Sequence, residues 1–242
     1  MPKRGPAAWC FLLAAILLGQ APSFAAAPQT LRVGVTEFPP GVVAAADGHA
    51  EGPAADMIRR IFENAGYRAD VRVYPSVRVR SLVTSGDLDA SIASRFWDTD
   101  GIALYSEQPF GEPKIGLFWT DPKNDVTSLA QLDGKVVIVP LGQFTPAALL
   151  RLKAPHAVIE QSRDFAGAIA MLTNGRADYL LDWEGPVQSE LDRLGLKVRQ
   201  LKLPPEYTYV VVSRRVPDAV AIVHRIDAAM RRLVAEGKLP LR

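Results

Sequence analysis

The chain has 242 residues, 28 of them Lys or Arg and 26 Asp or Glu, with a single cysteine. Removing Lys3 and Arg4, which fall in an amino-terminal leader, leaves 26 basic against 26 acidic residues, a balance that does not call for nucleic acid or an anionic membrane surface. Cys10 lies in the same leader, so disulfide and thiol chemistry are excluded from the remainder, and His49, His156 and His224 are too scattered to show metal-ligand spacing.

Residues 1–25 read as a signal peptide. Lys3 and Arg4 precede an apolar run over 7–18, and Ser23 and Ala25 place small residues at −3 and −1 of a cut. Cutting after Ala27 is disfavoured because Pro28 would follow. A retained anchor is the alternative, but the run is short for a membrane span. The remaining ~217 residues suffice for one large or two small domains. No later run of some 18 apolar residues follows, so the product is expected to be soluble and exported, to the periplasm.

Residues 31–35 (LRVGV) form an apolar run leading into Thr36, Glu37, Phe38 and two prolines, a strand followed by a stiff loop that displays an acid and a ring. From Pro53, apolar residues recur at helical spacing until Gly66. Val71 and Val73 mark a second strand. Residues 74–97 then read as an amphipathic helix, a Gly-x-x-Asp turn from Gly86 to Asp89, and a buried strand over 90–93 ending in Ser94, Arg95, Phe96 and Trp97. Glycine can end the helix in a left-handed conformation at no steric cost. Residues 102–105 and 115–119 read as further strands.

A polar stretch over 120–132, with Asp121-Pro122 and Asn124-Asp125, reads as a crossing into a second lobe. There a strand over 136–139 precedes a loop and a helix with Thr145 as N-cap and Pro146 at its first position. Residues 165–184 repeat the earlier pattern: helix, Gly175-x-x-Asp178, a buried strand over 179–181, then Asp182, Trp183 and Glu184. A helix over 186–194, strands near 197–201 and 207–212, and a last helix from Pro217 to Gly237, burying Val220, Val223, Ile226, Met230 and Leu233, complete the chain.

This alternation argues for an α/β fold with mostly parallel sheets and helices on both faces. Crossings near 112–125 and 203–213 imply a hinge, with residues 26–115 and 208–242 in one lobe and 116–207 in the other. Ligands in open α/β sheets sit outside the carboxyl ends of the strands. Two strand ends, one with a cation (Arg95) and one with an anion (Asp182), therefore point to a shared cleft. Arg95 is suited to a carboxylate and Asp182 to an ammonium; their competing roles are an ion pair and a helix cap. Phe38, Trp97 and Trp183 are candidate ligand walls or core rings, Glu37 a candidate polar contact or a solvated strand end, and Arg78 a candidate cation or a solvated helix face. Thr145 caps its helix in either case and leaves backbone N–H groups near the cleft.

The segments LRVGVTEFPP, YPSVRVRSLVTSGDLDASIAS, YSEQPFGEPKIGLF, SLAQLDGKVVIVPLGQFT and NGRADYLLD, in that order and spacing, resemble the family 3 solute-binding proteins that serve ABC importers of polar amino acids. The resemblance spans residues 30 to 237. It implies a type II periplasmic-binding-protein fold, two lobes closing on one small polar, amino-acid-like ligand, an inner-membrane ABC permease as partner, a monomer, and neither cofactor nor catalysis. By resemblance, Phe38 packs on the ligand, Ser94 and Arg95 meet it at the strand end, Thr145 meets its carboxylate and Asp182 holds its ammonium. The family's carboxylate-binding arginine falls at Thr99 here, leaving Arg95 or Arg78 as substitutes. The same fold family includes periplasmic dehydratases, which makes Glu37 or Glu184 candidate general acids, and a sensor lobe partnering a membrane protein is a third reading.

Overall fold

A computed structural model of the chain describes residues 27–97 and 100–239. The expected leader, with Cys10, and the position of Thr99 lie outside the described residues. Two five-stranded sheets dominate the architecture. The first contains β1 (Thr30–Val35), β4 (Arg68–Val73), β5 (Ala90–Ser94), β6 (Ala103–Tyr105) and β12 (Thr208–Ser213), ordered β4-β1-β5-β12-β6. The second contains β7 (Lys114–Trp119), β8 (Val136–Ile138), β9 (Val158–Glu160), β10 (Tyr179–Trp183) and β11 (Arg199–Pro205), ordered β11-β7-β10-β8-β9. A small hairpin, β2 (Val43–Ala44) with β3 (Ala50–Glu51), decorates the first lobe.

Read from opposite edges, the two sheets have one plan. A central strand, β5 or β10, lies parallel to β1 or β8, which lies parallel to the outer β4 or β9. On its other side the central strand pairs antiparallel with a strand adjoining a crossing, β12 or β7. The expected parallel pairing thus holds for the strands joined through helices, and the antiparallel pairs arise where the chain enters or leaves a lobe.

The Gly-x-x-Asp repeat explains the common plan. Gly86 ends α2 (Ser76–Ser85) at φ 84°, and Gly175 follows α4 (Phe165–Thr173) at φ 67°, conformations that cost glycine little. Three residues on, Asp89 N–H donates to Arg32 O at 2.9 Å while its carboxylate accepts the Arg32 N–H at 2.7 Å. Asp178 does the same in the other lobe: its N–H donates to Val136 O and its carboxylate accepts the Val136 N–H, both at 2.9 Å. Each aspartate therefore locks the start of the central strand to its parallel neighbour.

Each lobe has its own core. Leu31, Val33, Val35, Val210 and Val212 pack under α1 (Pro53–Asn64) and α6 (Ala219–Ala235). The opposite face of that sheet meets Val79 and Val83 of α2. In the second lobe, Leu117, Tyr179 and Leu181 pack with Leu150 of α3 (Phe144–Lys153). Phe118 and Leu180 pack on the other side with Ile169 and Leu172 of α4 and Leu191 of α5 (Glu184–Leu194). At about 1.5–3 kcal/mol per fully buried large aliphatic side chain, each core dwarfs any contact between lobes.

Two expectations are corrected. Val220 is 56% exposed; α6 turns Ile222, Val223, Ile226, Met230 and Leu233 inward instead. The polar stretch over 120–132 is not the crossing, because β7 already belongs to the second sheet. Its polar residues form a surface loop in which Asp125 accepts from the Trp119 indole at 2.8 Å. The chain crosses earlier, over 106–113, and returns over 206–207. The crossings run side by side: Phe110 N–H donates to Thr208 O at 2.7 Å, Thr208 N–H to Gly111 O at 2.9 Å and Glu206 N–H to Pro113 O at 3.0 Å.

Replacing Asp89 or Asp178 with alanine leaves a strand N–H without its acceptor and should cost about 1–3 kcal/mol in a denaturant titration. Asp89→Asn and Asp178→Asn, which keep an acceptor oxygen, should each cost less.

Candidate ligand-binding cleft

The carboxyl ends of β1 and β5 in one lobe face the segments after β8 and β10 in the other. β1 runs into residues 36–42, a loop closed by reciprocal backbone bonds between Phe38 and Val42, both 2.9 Å, with a cis peptide between Pro39 and Pro40. The first residue of α2, Ser76, donates its hydroxyl to Gly142 O at 2.7 Å. Gly142 has φ 82°, and a Cβ there would lie 2.9 Å from Ser76 Cβ, so only glycine permits this approach. Beyond it, the hydroxyls of Ser94 and Thr145, both buried, meet at 2.5 Å across the lobes. Phe38 and Trp183 meet edge to face with centroids 6.0 Å apart, and Phe144 packs against the first-lobe cluster of Val79, Ala93 and Trp97.

These contacts enclose a cavity of about 540 Å³ with walls from both lobes and from the crossings. Of the residues expected in the site, Glu37, Phe38, Ser94, Trp97, Thr145 and Trp183 line it. Thr145 is not a cap: α3 begins at Phe144 with Gln143 as N-cap, which places Thr145 in the first turn with its hydroxyl turned to Ser94. Trp183 is held by its indole N–H, which donates to Gln143 Oε1 at 2.9 Å.

Arg78, Arg95 and Asp182 do not line the cavity. Arg78 is exposed beside the Tyr74 ring. Arg95 enters a tight turn directly after β5 and leaves the cleft; its guanidinium lies 4.5 Å from the Tyr209 ring centroid and 5.1 Å from that of Tyr105. Asp182 sits one residue before Trp183 on β10, and alternation along the strand sends neighbouring side chains to opposite faces. It is fully buried, its Oδ1 accepts the Trp183 N–H at 2.8 Å and its Oδ2 has no hydrogen-bond partner among the described residues. Burial pushes its carboxyl up to about 8.

Sequence reading missed Ser76, Phe110, Glu112, Gln143 and Phe144, all of which line the cavity. Phe110 and Glu112 belong to the crossing over 106–113, and the available signal was that a crossing segment in such a fold forms the floor of the cleft.

No protein-family model matches the sequence, and no curated protein does. Solved structures do match over nearly the whole chain. An ancestral arginine-binding protein bound to arginine is 19% identical with a TM-score of 0.74, covering 88% of this chain and 96% of that one. The substrate-binding protein of an amino acid ABC transporter is 14% identical with a TM-score of 0.69, covering 87% and 95%. An ancestral amino acid-binding protein that is a precursor of cyclohexadienyl dehydratase is 18% identical with a TM-score of 0.70, covering 87% and 91%. The chain has the two-lobed periplasmic-binding-protein fold.

The Ser94–Thr145 contact should appear as coupling in a double-mutant cycle. Ser94→Ala, Thr145→Ala and the double variant, compared by unfolding free energy, should give about 0.5–1.5 kcal/mol of interaction; strict additivity would mean that the lobes do not meet there in solution.

Asp182 makes a prediction about pH. Its folded value, about 8, exceeds the ordinary 3.8, so between those values the folded chain holds a proton that the unfolded chain releases. This group therefore lowers stability progressively as pH rises through that window and contributes no slope outside it. Asp182→Asn should remove a decline of up to about 1.4 kcal/mol per pH unit, read as a flatter profile of unfolding free energy against pH.

Proposed function

We propose that this chain is an exported solute-binding protein that captures a small polar, amino-acid-like solute between its lobes and delivers it to an ABC importer in the inner membrane. The observation that carries the reading is the cavity of about 540 Å³ enclosed by strand ends of both lobes and floored by two short crossings. That volume is in the range of small-molecule sites. Two crossings that run side by side suit a hinge, and only a ligand with higher affinity for the closed form can drive its closure. The fold shared with amino-acid-binding proteins supports the same class of ligand.

Catalysis is the weaker reading. Of the two candidate general acids, Glu37 lines the cavity at its exposed rim, whereas Glu184 lies 2.8 Å from Lys202 Nζ and is held below the usual carboxylate range by that hydrogen bond. Glu184 does not line the cavity, and a carboxylate stabilised in its charged form is a poor proton donor.

The mature protein, refolded to strip carried-over solute, should show a clear thermal shift against one class in a panel of amino acids, amines and small carboxylic acids. A solute at a hundred times its Kd adds about 2.7 kcal/mol. The solute should be recovered unchanged and should stimulate ATP hydrolysis by the cognate permease in proteoliposomes. Turnover of the solute would overturn the reading, and binding without permease stimulation would reassign the protein to sensing.

A further inference from the structure

The chemistry of the cleft narrows the solute. Among the described residues lining it, the charged side chains are Glu37 and Glu112, with no Lys, Arg or His. Neither carboxylate forms an ion pair with a described residue. Glu112 is half-buried within the crossing over 106–113, Glu37 exposed at the rim. The rings of Phe38, Trp97, Phe110, Phe144 and Trp183 line the same cavity.

Several of the polar groups that would ordinarily hold a carboxylate are engaged elsewhere, although the Thr145 N–H remains available. The Ser94 and Thr145 hydroxyls bond each other, and Ser76 donates to a backbone carbonyl. A helix amino terminus attracts anions through its free N–H groups, but at α3 the Phe144 N–H donates to Gly142 O at 3.0 Å and the Ala147 N–H to Gln143 O at 3.1 Å. Pro146 has no N–H to offer. Arg80, near the cleft, does not line it: its guanidinium lies 5.4 Å from the Phe144 ring centroid and binds Trp97 O at 3.1 Å and Asp100 at 2.9 Å. A ligand carboxylate buried here would lose water without gaining a cation. A ligand cation meets the negative faces of aromatic rings and two uncompensated carboxylates.

We propose that the solute is an organic cation without a free carboxylate: an amine, guanidine or quaternary ammonium on a short apolar frame. This rests on the solute-capture reading and specifies it. The amine end of an amino-acid-like ligand is retained, and its acidic end is not. Glu112 faces the charge, and the rings enclose it.

Matched pairs in which one member lacks the carboxylate, or carries an alcohol in its place, test the idea. Agmatine against arginine, cadaverine against lysine, and choline against glycine betaine would be titrated by calorimetry, with fluorescence of Trp97 and Trp183 as a second readout. In at least one pair the carboxylate-free member should bind tenfold tighter or more. Glu112→Gln should then weaken it at least fivefold and make the remaining affinity less sensitive to salt. If every pair that binds prefers the carboxylate, or if only neutral or acidic solutes from the thermal-shift panel bind, the inference is overturned while solute capture stands. A cation whose affinity is unchanged by the combined Glu37→Gln and Glu112→Gln substitutions overturns it as well. If no solute of any class binds, the solute-capture reading falls and takes this one with it.

Discussion

The start of each central strand is fixed by one aspartate that both donates and accepts on the same residue of the neighbouring strand. Asp89 does so with Arg32, and Asp178 with Val136. A one-residue slip of a strand sends every side chain to the opposite face, so this clamp determines which residues of β5 and β10 reach the cleft. With Asp89 fixed, β5 ends at Ser94; with Asp178 fixed, β10 ends at Trp183. Both side chains line the cavity. A pair of turns far from any ligand thus sets the geometry of the site.

The same local device explains how much was legible beforehand. Helix, glycine in a left-handed conformation, aspartate and buried strand are all local in sequence, and the repeat of that unit revealed two lobes and their facing strand ends. What did not follow was the direction of individual side chains. A strand covered on both faces reads as a continuous apolar run with no alternation to mark inside from outside. Asp182 was therefore indistinguishable from Trp183 as a cleft residue, although the pleat sends the two to opposite sides. Arg95 lies away from the cavity for a related reason. It follows the last strand residue, and the tight turn at that point directs it to Tyr105 and Tyr209 rather than along the strand axis. The crossing over 106–113 was displaced because polarity marks exposed loops wherever they fall, while the true crossing carries Phe110 and Pro113, packed into the cleft.

Energetically the lobes are unequal partners to their own interface. Each has cores on both faces of its sheet, whereas the joint between them, among the described residues and apart from the crossings, is small: the Ser94–Thr145 and Ser76–Gly142 hydrogen bonds, the Phe38–Trp183 edge contact and the Phe144 ring with Arg80 over it are its principal contacts. Hydrogen bonds of this kind contribute about 0.5–1.5 kcal/mol net. Separating the lobes therefore costs far less than unfolding either one, which is the condition for a bound solute to shift the balance between open and closed forms. The backbone bonds joining the crossings at Phe110, Thr208, Gly111, Glu206 and Pro113 hold the lobes in register while they part.

Two independent lines converge on the missing carboxylate partner. In the sequence, the position where the family it resembles carries its carboxylate-binding arginine is Thr99. In the structure, the two substitutes, Arg95 and Arg78, stand outside the cleft, and the nearby Arg80 is engaged by Trp97 O and Asp100. The loss has not been offset by another cation among the lining residues; instead, acids and rings occupy the walls. The buried Asp182 does not restore the balance either, since its burial favours the neutral form. A cleft that retained the family's chemistry would present positive charge to one end of its ligand and negative charge to the other. Among its described lining residues this one carries acidic charge alone, which is why the proposed solute is a cation.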